Sequence, residues 1–148
     1  MKVSTKGRYG LKAMIDLAVN DKDGQVSLKS VAERQGLSEN YLEQLFSSMK
    51  KSGIVKSVRG AQGGYLLAKP AEDISVGDVL RSLEGTLCPV DCIDPEMPIA
   101  CDKSDLCVTA IVWAKLRDKI NEVVDSISIA DLVKEYEERR KNDYIYYI

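Results

Sequence analysis

The segment SLKSVAERQGLSENYLEQLFSSMKKSGIVKSVRGAQGGYLLA, residues 27–68, determines the fold of this chain. Ser27 opens a short helix, Gly36 marks a tight turn, and Ser38 is a typical N-cap for a second helix with an apolar stripe. Two short helices joined by a glycine-containing turn form a helix-turn-helix. The period then changes, and two short strands are predicted around a glycine-rich hairpin at 59–64. This order of elements predicts the winged form of the helix-turn-helix.

Further helices are predicted on both sides of this motif. Ser4 or Thr5 caps a first helix, and Ser75 caps another that ends at Gly85. A long helix is expected from about Ser104 to about 126, and a last helix leads through Tyr136 into a polar run and an aromatic tail. The predicted fold class is mainly α, a winged helix-turn-helix DNA-binding domain with a long C-terminal dimerisation helix.

Apolar residues recur every three or four positions along the long helix, for about three heptads. They are Leu106, Ala110, Trp113, Leu116, Ile120, Val123 and Ile127. A stripe of this length favours a seam with a second copy of the chain, and packing on its own domain is the alternative.

Length and charge narrow the class of protein. A chain of 148 residues suits one domain, or a small domain with an attached element, and is long enough to bury a core. No signal-peptide pattern or apolar run of membrane-spanning length is present, so a cytoplasmic location and no membrane partner are expected.

Residues 1–70 carry twelve Lys and Arg against six Asp and Glu, whereas residues 71–148 carry nine against seventeen. The basic first half is the part expected to meet a polyanion, although ordinary solvated surface also explains such a charge.

The predicted recognition helix presents polar side chains on its first turns, the part that enters the major groove of double-stranded DNA in such motifs. Asn and Gln pair with adenine, Ser bonds to bases or phosphate, and Glu accepts from cytosine. The candidates for reading bases are Ser38, Asn40, Glu43 and Gln44, and those for a minor groove are Arg59 and Gly60 at the wing tip. The candidates for phosphate contacts are Lys6, Arg8, Tyr9, Lys50, Lys51 and Lys56.

All four cysteines fall between 88 and 107, in the spacing Cys-x3-Cys-x8-Cys-x5-Cys, and the sequence has no histidine. The segment also holds three prolines, which makes it a loop. Four thiolates suit an iron–sulfur cluster or a tetrahedral zinc ion, and spacing alone does not separate them. A thiol switch and inert loop cysteines are the other readings. If the last cysteine lies in the first turn of the long helix, backbone N–H groups there lower its pKa.

Several of these motifs resemble the Rrf2 family of bacterial winged-helix regulators, over essentially the whole chain. The segments that carry the resemblance are 4–9 (STKGRY), 33–38 (ERQGLS), 41–46 (YLEQLF), 57–60 (SVRG) and 63–67 (GGYLL). The resemblance implies a homodimer held by the long helix, a roughly palindromic operator and a cluster-binding loop just before that helix. The tail and 83–85 (LEG) are also similar to the cysteine-metabolism repressors of the family, which lack this cysteine set.

The cluster regulators of that family typically show Cys-x5-Cys-x5-Cys-x2-His. Here Cys101 and Cys107 match the second half, and Cys92 serves as the first ligand with a loop longer by three residues. Ala110 stands at the histidine position, so Cys88 is the expected fourth ligand and a carboxylate is the alternative. The resemblance implies a [2Fe-2S] cluster, and a four-iron cluster is the alternative.

The sequence thus predicts a DNA-binding transcriptional regulator, mainly a repressor, that senses iron–sulfur cluster status and controls cluster biogenesis genes. It has no nucleotide-binding glycine motif or nucleophile–base pair, so no enzyme is expected. The alternative is a repressor of cysteine or sulfur metabolism, or a thiol or zinc redox sensor. The expected segments are 1–84 for DNA binding, 85–104 for the cluster loop, and 105–148 for the dimerisation helix and tail.

Overall fold

The computed structural model describes residues 2–97, 99 and 101–146. Single-turn 3₁₀ segments lie at 21–23, 71–73, 91–93 and 104–106. The helices and strands are α1 Thr5–Asn20, α2 Leu28–Gln35, α3 Glu39–Lys51, β1 Val55–Val58, β2 Gly64–Leu67, α4 Val76–Glu84, α5 Ala110–Ser126 and α6 Ile129–Tyr146.

Serine side chains begin the helices, as the sequence predicts. The hydroxyls of Ser4, Ser27, Ser38 and Ser75 each accept a hydrogen bond from a backbone N–H in the first turn of α1, α2, α3 and α4. Each bond satisfies a donor that has no partner inside the helix. The turn between α2 and α3 is made by Gly36, whose φ of 65° lies in the left-handed region that favours glycine.

One core joins the first helices, the wing and the start of α6. Its largest fully buried side chains are Phe46, Met14, Leu17, Leu42, Leu45, Met49, Ile74, Ile129, Val31, Val55 and Val79. The buried stripe predicted for α3 is therefore confirmed, because Leu42, Leu45, Phe46 and Met49 are all in it. Ile129 brings α6 back onto α1, and its N–H donates to the Ile74 carbonyl over 2.8 Å.

The wing is a two-stranded antiparallel sheet in which Val55 pairs with Leu67 and Val58 with Gly64. Tyr65 of β2 also exchanges two backbone hydrogen bonds with Val26, over 2.8 and 2.9 Å. These bonds attach the wing to the segment that leads into α2 and so place it beside the helix-turn-helix.

The prediction for the start of the long helix was wrong by about six residues. Ser104–Leu106 form a 3₁₀ turn, Cys107 is extended with ψ of 90°, and α5 begins only at Ala110. The β-branched pair Val108 and Thr109 lies at this boundary, and such side chains lose χ1 freedom in a helix. Cys107 therefore precedes the helix and does not lie in its first turn.

The last helix is longer than predicted. The polar run at 137–143 continues α6 to Tyr146, since its residues are good helix formers and Glu135 pairs with Arg139 four positions on, over 2.7 Å. Tyr144 is thus helical, and the end of the aromatic tail, 147–148, lies outside the described residues. Among the described helices none is both long and apolar enough to cross a membrane.

Candidate nucleic-acid interface and cysteine loop

The outer face of α3 carries the side chains predicted to read bases. Ser38, Asn40, Glu43 and Gln44 are all exposed, while the opposite face of the helix is buried in the core. The Ser38 hydroxyl accepts from the Tyr41 N–H over 3.2 Å, which fixes the first turn of the helix. A rigid helix with a free polar face is the form in which recognition helices enter a major groove.

Two tyrosines place the start of α1 beside the start of α3. The rings of Tyr9 and Tyr41 meet edge to face, with centroids 6.4 Å apart. Arg8 and Lys12 lie at 5.8 and 5.7 Å from the centre of the Tyr9 ring. Lys6, Arg8 and Lys12 are exposed and Tyr9 is half-buried, so this end of α1 adds a basic surface next to the recognition helix.

Sequence reasoning missed Lys12 in this group. Its position one turn after Arg8 on α1, toward the same ring, was the available signal. A half-buried tyrosine between two cations also indicates that Tyr9 acts partly as a support for the basic side chains.

The wing tip presents Arg59 and Gly60 to solvent. The φ of Gly60 is 124°, a conformation that other residues adopt with strain, and its carbonyl accepts from the Gly63 N–H over 3.0 Å. Gln25 donates to the Gln62 carbonyl over 2.8 Å and holds the tip from the side. An exposed arginine on a tip made of small residues is well shaped for a minor groove.

Glu43 lies on the side of α3 that faces the wing. Burial raises the pKa of the Tyr65 hydroxyl, and the nearby negative charge of Glu43 raises it further. Lys50, at the end of α3, donates to the Ser57 hydroxyl over 2.7 Å, while Lys56 and Lys51 are exposed. The recognition helix and the wing therefore form one continuous surface with Glu43 between them.

The four cysteines are free thiols spread along the loop between α4 and α5. Cys92 and Cys101 are exposed, and Cys88 and Cys107 are half-buried. The thiol of Cys88 donates to the Val90 carbonyl over 3.2 Å, a contact within its own turn. In the part of the chain that the structure describes, no three Cys, Asp or Glu side chains are close enough to share a metal ion. The loop carries the predicted ligands in an open arrangement.

The surroundings of Cys107 lower the pKa of its thiol. Its sulfur lies 3.2 Å from the Thr109 hydroxyl, just before the first turn of α5. A hydrogen bond from that hydroxyl lowers the pKa of the Cys107 thiol, and the backbone N–H groups of Ala110 and Thr109 lower it further. The predicted direction of this shift is thus found, although Thr109 was not part of the prediction.

A buried carboxylate inside the loop was also missed. Asp94 is only 3% exposed, and its Oδ1 accepts from the Glu96 N–H over 2.9 Å. Next to it, Arg117 of α5 donates to the Ile93 carbonyl over 3.0 Å and fastens the middle of the loop to the long helix. The sequence signal for Asp94 was an aspartate before proline, which is typical of a turn.

Comparison with known proteins assigns this combination of elements to a family. The model of the Rrf2 family, described as an iron-dependent transcriptional regulator, matches residues 3–135. The chain belongs to the Rrf2 family. As an Rrf2 protein it is a DNA-binding transcriptional regulator and not an enzyme, which confirms the coarse prediction from sequence.

The relatives that this chain resembles include proteins named CymR and proteins named IscR. CymR of Bacillus subtilis strain 168 is 45% identical over 148 residues, which is 100% of both chains. IscR of Yersinia enterocolitica is 40% identical over 148 residues, covering 97% of this chain and 88% of the relative. Both are named HTH-type transcriptional regulators.

Solved structures of both kinds have the same fold. T. potens IscR superimposes with a TM-score of 0.73 at 50% identity, over 94% of this chain and 90% of that chain. The structure of CymR, the global cysteine regulator of B. subtilis, gives a TM-score of 0.75 at 43% identity, over 91% and 98%. The winged-helix fold is thereby confirmed, and the two relatives leave open which signal this Rrf2 regulator senses.

Proposed function

We propose that this Rrf2 regulator is a homodimeric repressor that senses iron–sulfur cluster status and controls cluster biogenesis genes. The observation that carries the proposal is the position of the cysteines. Four free thiols lie in one loop, which joins the DNA-binding core at Glu84 to α5 at Ala110. A cofactor bound there would link the two elements, and it would shift them between two relative arrangements only as far as it binds one arrangement more tightly than the other.

The ligands proposed for the cluster are Cys92, Cys101 and Cys107, with Cys88 as the fourth. Thiolates are the usual ligands of iron–sulfur clusters, so the donor set fits, and the hydrogen bonds that lower the pKa of the Cys107 thiol stabilise its ionised form. When bound, a [2Fe-2S] cluster supplies a centre whose presence reports on iron and sulfide supply. The loop is proposed to close around the cluster, so that the exposed Cys92 and Cys101 approach Cys107.

The fourth ligand can be assigned with two variants. Cys88→Ala removes the proposed fourth thiolate and is therefore expected to change the visible spectrum of the loaded protein. The Cys88 thiol donates weakly to the Val90 carbonyl, a contact that it gives up when it turns to the metal. Asp94→Asn is the matched control, because Asp94 is the buried carboxylate of the same loop. A changed spectrum in Asp94→Asn together with a normal spectrum in Cys88→Ala would show that the fourth ligand is the Asp94 carboxylate and not Cys88.

DNA recognition is proposed to use three groups of side chains. The first turns of α3 enter the major groove, and Arg59 with Gly60 enters the adjacent minor groove. Phosphate contacts come from the start of α1 and from the strand next to the wing tip. The residues are Ser38, Asn40, Glu43 and Gln44 for bases, Arg59 and Gly60 for the wing, and Lys6, Arg8, Tyr9 and Lys56 for phosphates.

A second copy of the chain is proposed to cover α5. None of the seventeen residues of α5, all of them described, is buried in the single chain. Ile111, Val112 and Val123 are 59, 55 and 56% exposed, which is unusual for apolar side chains spaced along one helix. Two copies of the recognition helix then face two half-sites of a palindromic operator.

The experiment that tests the function is operator binding by the cluster-loaded and the metal-free protein, prepared from one anaerobic batch. The proposal expects the two forms to differ at least about tenfold in affinity for one operator class, a typical size for coupling between two sites. Equal affinities of the two forms for every operator tested would contradict it.

A second function is supported by the whole-chain similarity to CymR. Under this alternative the protein represses cysteine or sulfur metabolism, or uses the same cysteines as a thiol or zinc sensor. A variant with all four cysteines changed to serine separates regulation through the cysteines, whether by a cluster, a thiol switch or zinc, from regulation that does not use them. Unchanged regulation by that variant favours the CymR-like function, whereas loss of regulation favours the cysteine loop.

A further inference from the structure

One carboxylate, that of Glu84 at the end of α4, binds the first turn of α1. Its Oε1 accepts from the Ser4 N–H over 3.1 Å, from the Gly7 N–H over 3.1 Å, and from the Ser4 hydroxyl at close range. Ser4 and Glu84 are 80 residues apart in sequence. A carboxylate at this place satisfies backbone donors that lack helical partners and complements the positive end of a sixteen-residue helix.

Two glycines of α1 allow α4 to approach closely enough for this contact. Gly7 and Gly10 are buried, and a methyl group on either would overlap a side chain of α4. At Gly7 the overlap is with the carboxylate of Glu84, and at Gly10 it is with a methyl group of Leu83. The last two residues of α4 thus fit against two missing side chains of α1, which fixes the position of the carboxylate.

The contact joins two regions with proposed functions. On one side, Gly7 lies between Lys6 and Arg8, the proposed phosphate contacts, and Ser4 precedes Lys6 by two residues. On the other side, Glu84 is the last helical residue before the loop that begins the cysteine segment, four residues ahead of Cys88.

We propose that Glu84 is a positioning residue for DNA binding, which holds the first turn of α1 so that Lys6 and Arg8 engage the phosphate backbone. The inference rests on the proposed role of these two residues as phosphate contacts. The expected effect of removing Glu84 on DNA affinity is opposite to the effect of its charge. Removing a negative charge from a DNA-binding face by itself strengthens binding, so weaker binding after loss of Glu84 is the signature of positioning.

The test measures affinity for a fluorescent duplex of arbitrary sequence at several salt concentrations. Glu84→Ala is expected to bind more weakly and to lower the slope of log K against log salt by about 1 to 2, the loss of one or two phosphate contacts. Glu84→Gln is expected to keep the native slope, because an amide oxygen accepts from the same two N–H donors. Glu72→Ala, an exposed glutamate of the same domain, controls for the change in net charge.

Lys6→Ala and Arg8→Ala calibrate the measurement, each with an expected fall in slope of about 1. If they lower the slope and Glu84→Ala does not, the positioning role is wrong while the phosphate contacts stand. If none of the three alters the slope, the contacts themselves are wrong and the inference falls with them. If Glu84→Ala unfolds, the salt slope is measured instead for Ser4→Ala, which removes the hydroxyl partner of Glu84. Thermal melting identifies a variant that has lost stability only.

Discussion

The carboxylate of Asp16 on α1 forms a bidentate ion pair with Arg34 on α2, 2.7 Å from Nη2 and 3.0 Å from Nε. Its side chain is only 4% exposed, and Gln35 donates to the same carboxylate over 2.9 Å. A buried carboxylate is retained in proteins when it is paired and hydrogen-bonded, as Asp16 is here through both of its oxygens. This pair connects the first helix to the helix-turn-helix and therefore fixes the frame on which α3 is presented.

Asp16→Ala is expected to lower the free energy of unfolding by about 2–4 kcal/mol, because it leaves two donors near the core without their acceptor. Chemical denaturation monitored by circular dichroism measures the change. Asp23→Ala is the control, since Asp23 is exposed, and such changes are usually within about 0.5 kcal/mol. An equal effect of the two substitutions would show that the buried pair does not hold the two helices together.

The double variant Val112→Glu and Val123→Glu is expected to be monomeric. Both side chains lie on the exposed apolar side of α5. An uncompensated charge in a dimer interface weakens association by more than tenfold, roughly, because it must be desolvated without a partner. Sedimentation velocity across a concentration series reports the change. Lys115→Glu, on the polar side of the same helix, is expected to leave the dimer intact. A dimer of unchanged stability in the double variant would place the interface elsewhere.

Gln44→Ala and Arg59→Ala are each expected to weaken specific operator binding by about 5- to 150-fold, the range for removing one bidentate base contact or one minor-groove arginine. Lys56→Ala is the comparison, since removing a phosphate-binding side chain should weaken binding to all sequences alike. Competition between operator and unrelated duplex gives the specificity ratio. If the specificity ratio stays at the native value in both variants, Gln44 of α3 and Arg59 of the wing do not recognise the operator sequence.

Thr109→Val is expected to shift the alkylation of Cys107 to higher pH in the metal-free protein. The Thr109 hydroxyl is the main cause of the low pKa of the Cys107 thiol, so its removal raises that pKa and less thiolate is present at neutral pH. Mass spectrometry after short iodoacetamide pulses at a series of pH values measures each cysteine separately. Cys101 serves as the internal control, and identical pH profiles for Cys107 in both proteins would rule out the hydrogen bond.

Local signals made most of the helices and the wing predictable from sequence. Ser27, Ser38 and Ser75 each cap a helix through a bond to the backbone three residues on, which depends only on neighbouring positions. Gly36 is needed at the turn for the same local reason. Tertiary packing had little to override in these segments.

Features that depend on distant contacts were not predictable in the same way. The Glu84 contact with Ser4 spans 80 residues of sequence. Asp94 is buried by the path of the loop, and no periodic pattern marks it. The exposure of the candidate base-reading residues was predictable because they lie on the polar face of an amphipathic helix.

Iron and acid-labile sulfide analysis of anaerobically purified protein, together with its visible spectrum, tests the central claim most directly. Cluster sensing through Cys92, Cys101 and Cys107 predicts a coloured protein with about two iron and two sulfide per chain, lost in any of the three Cys→Ala variants. A colourless protein that contains zinc, or one whose iron and sulfide survive all three substitutions, would contradict it.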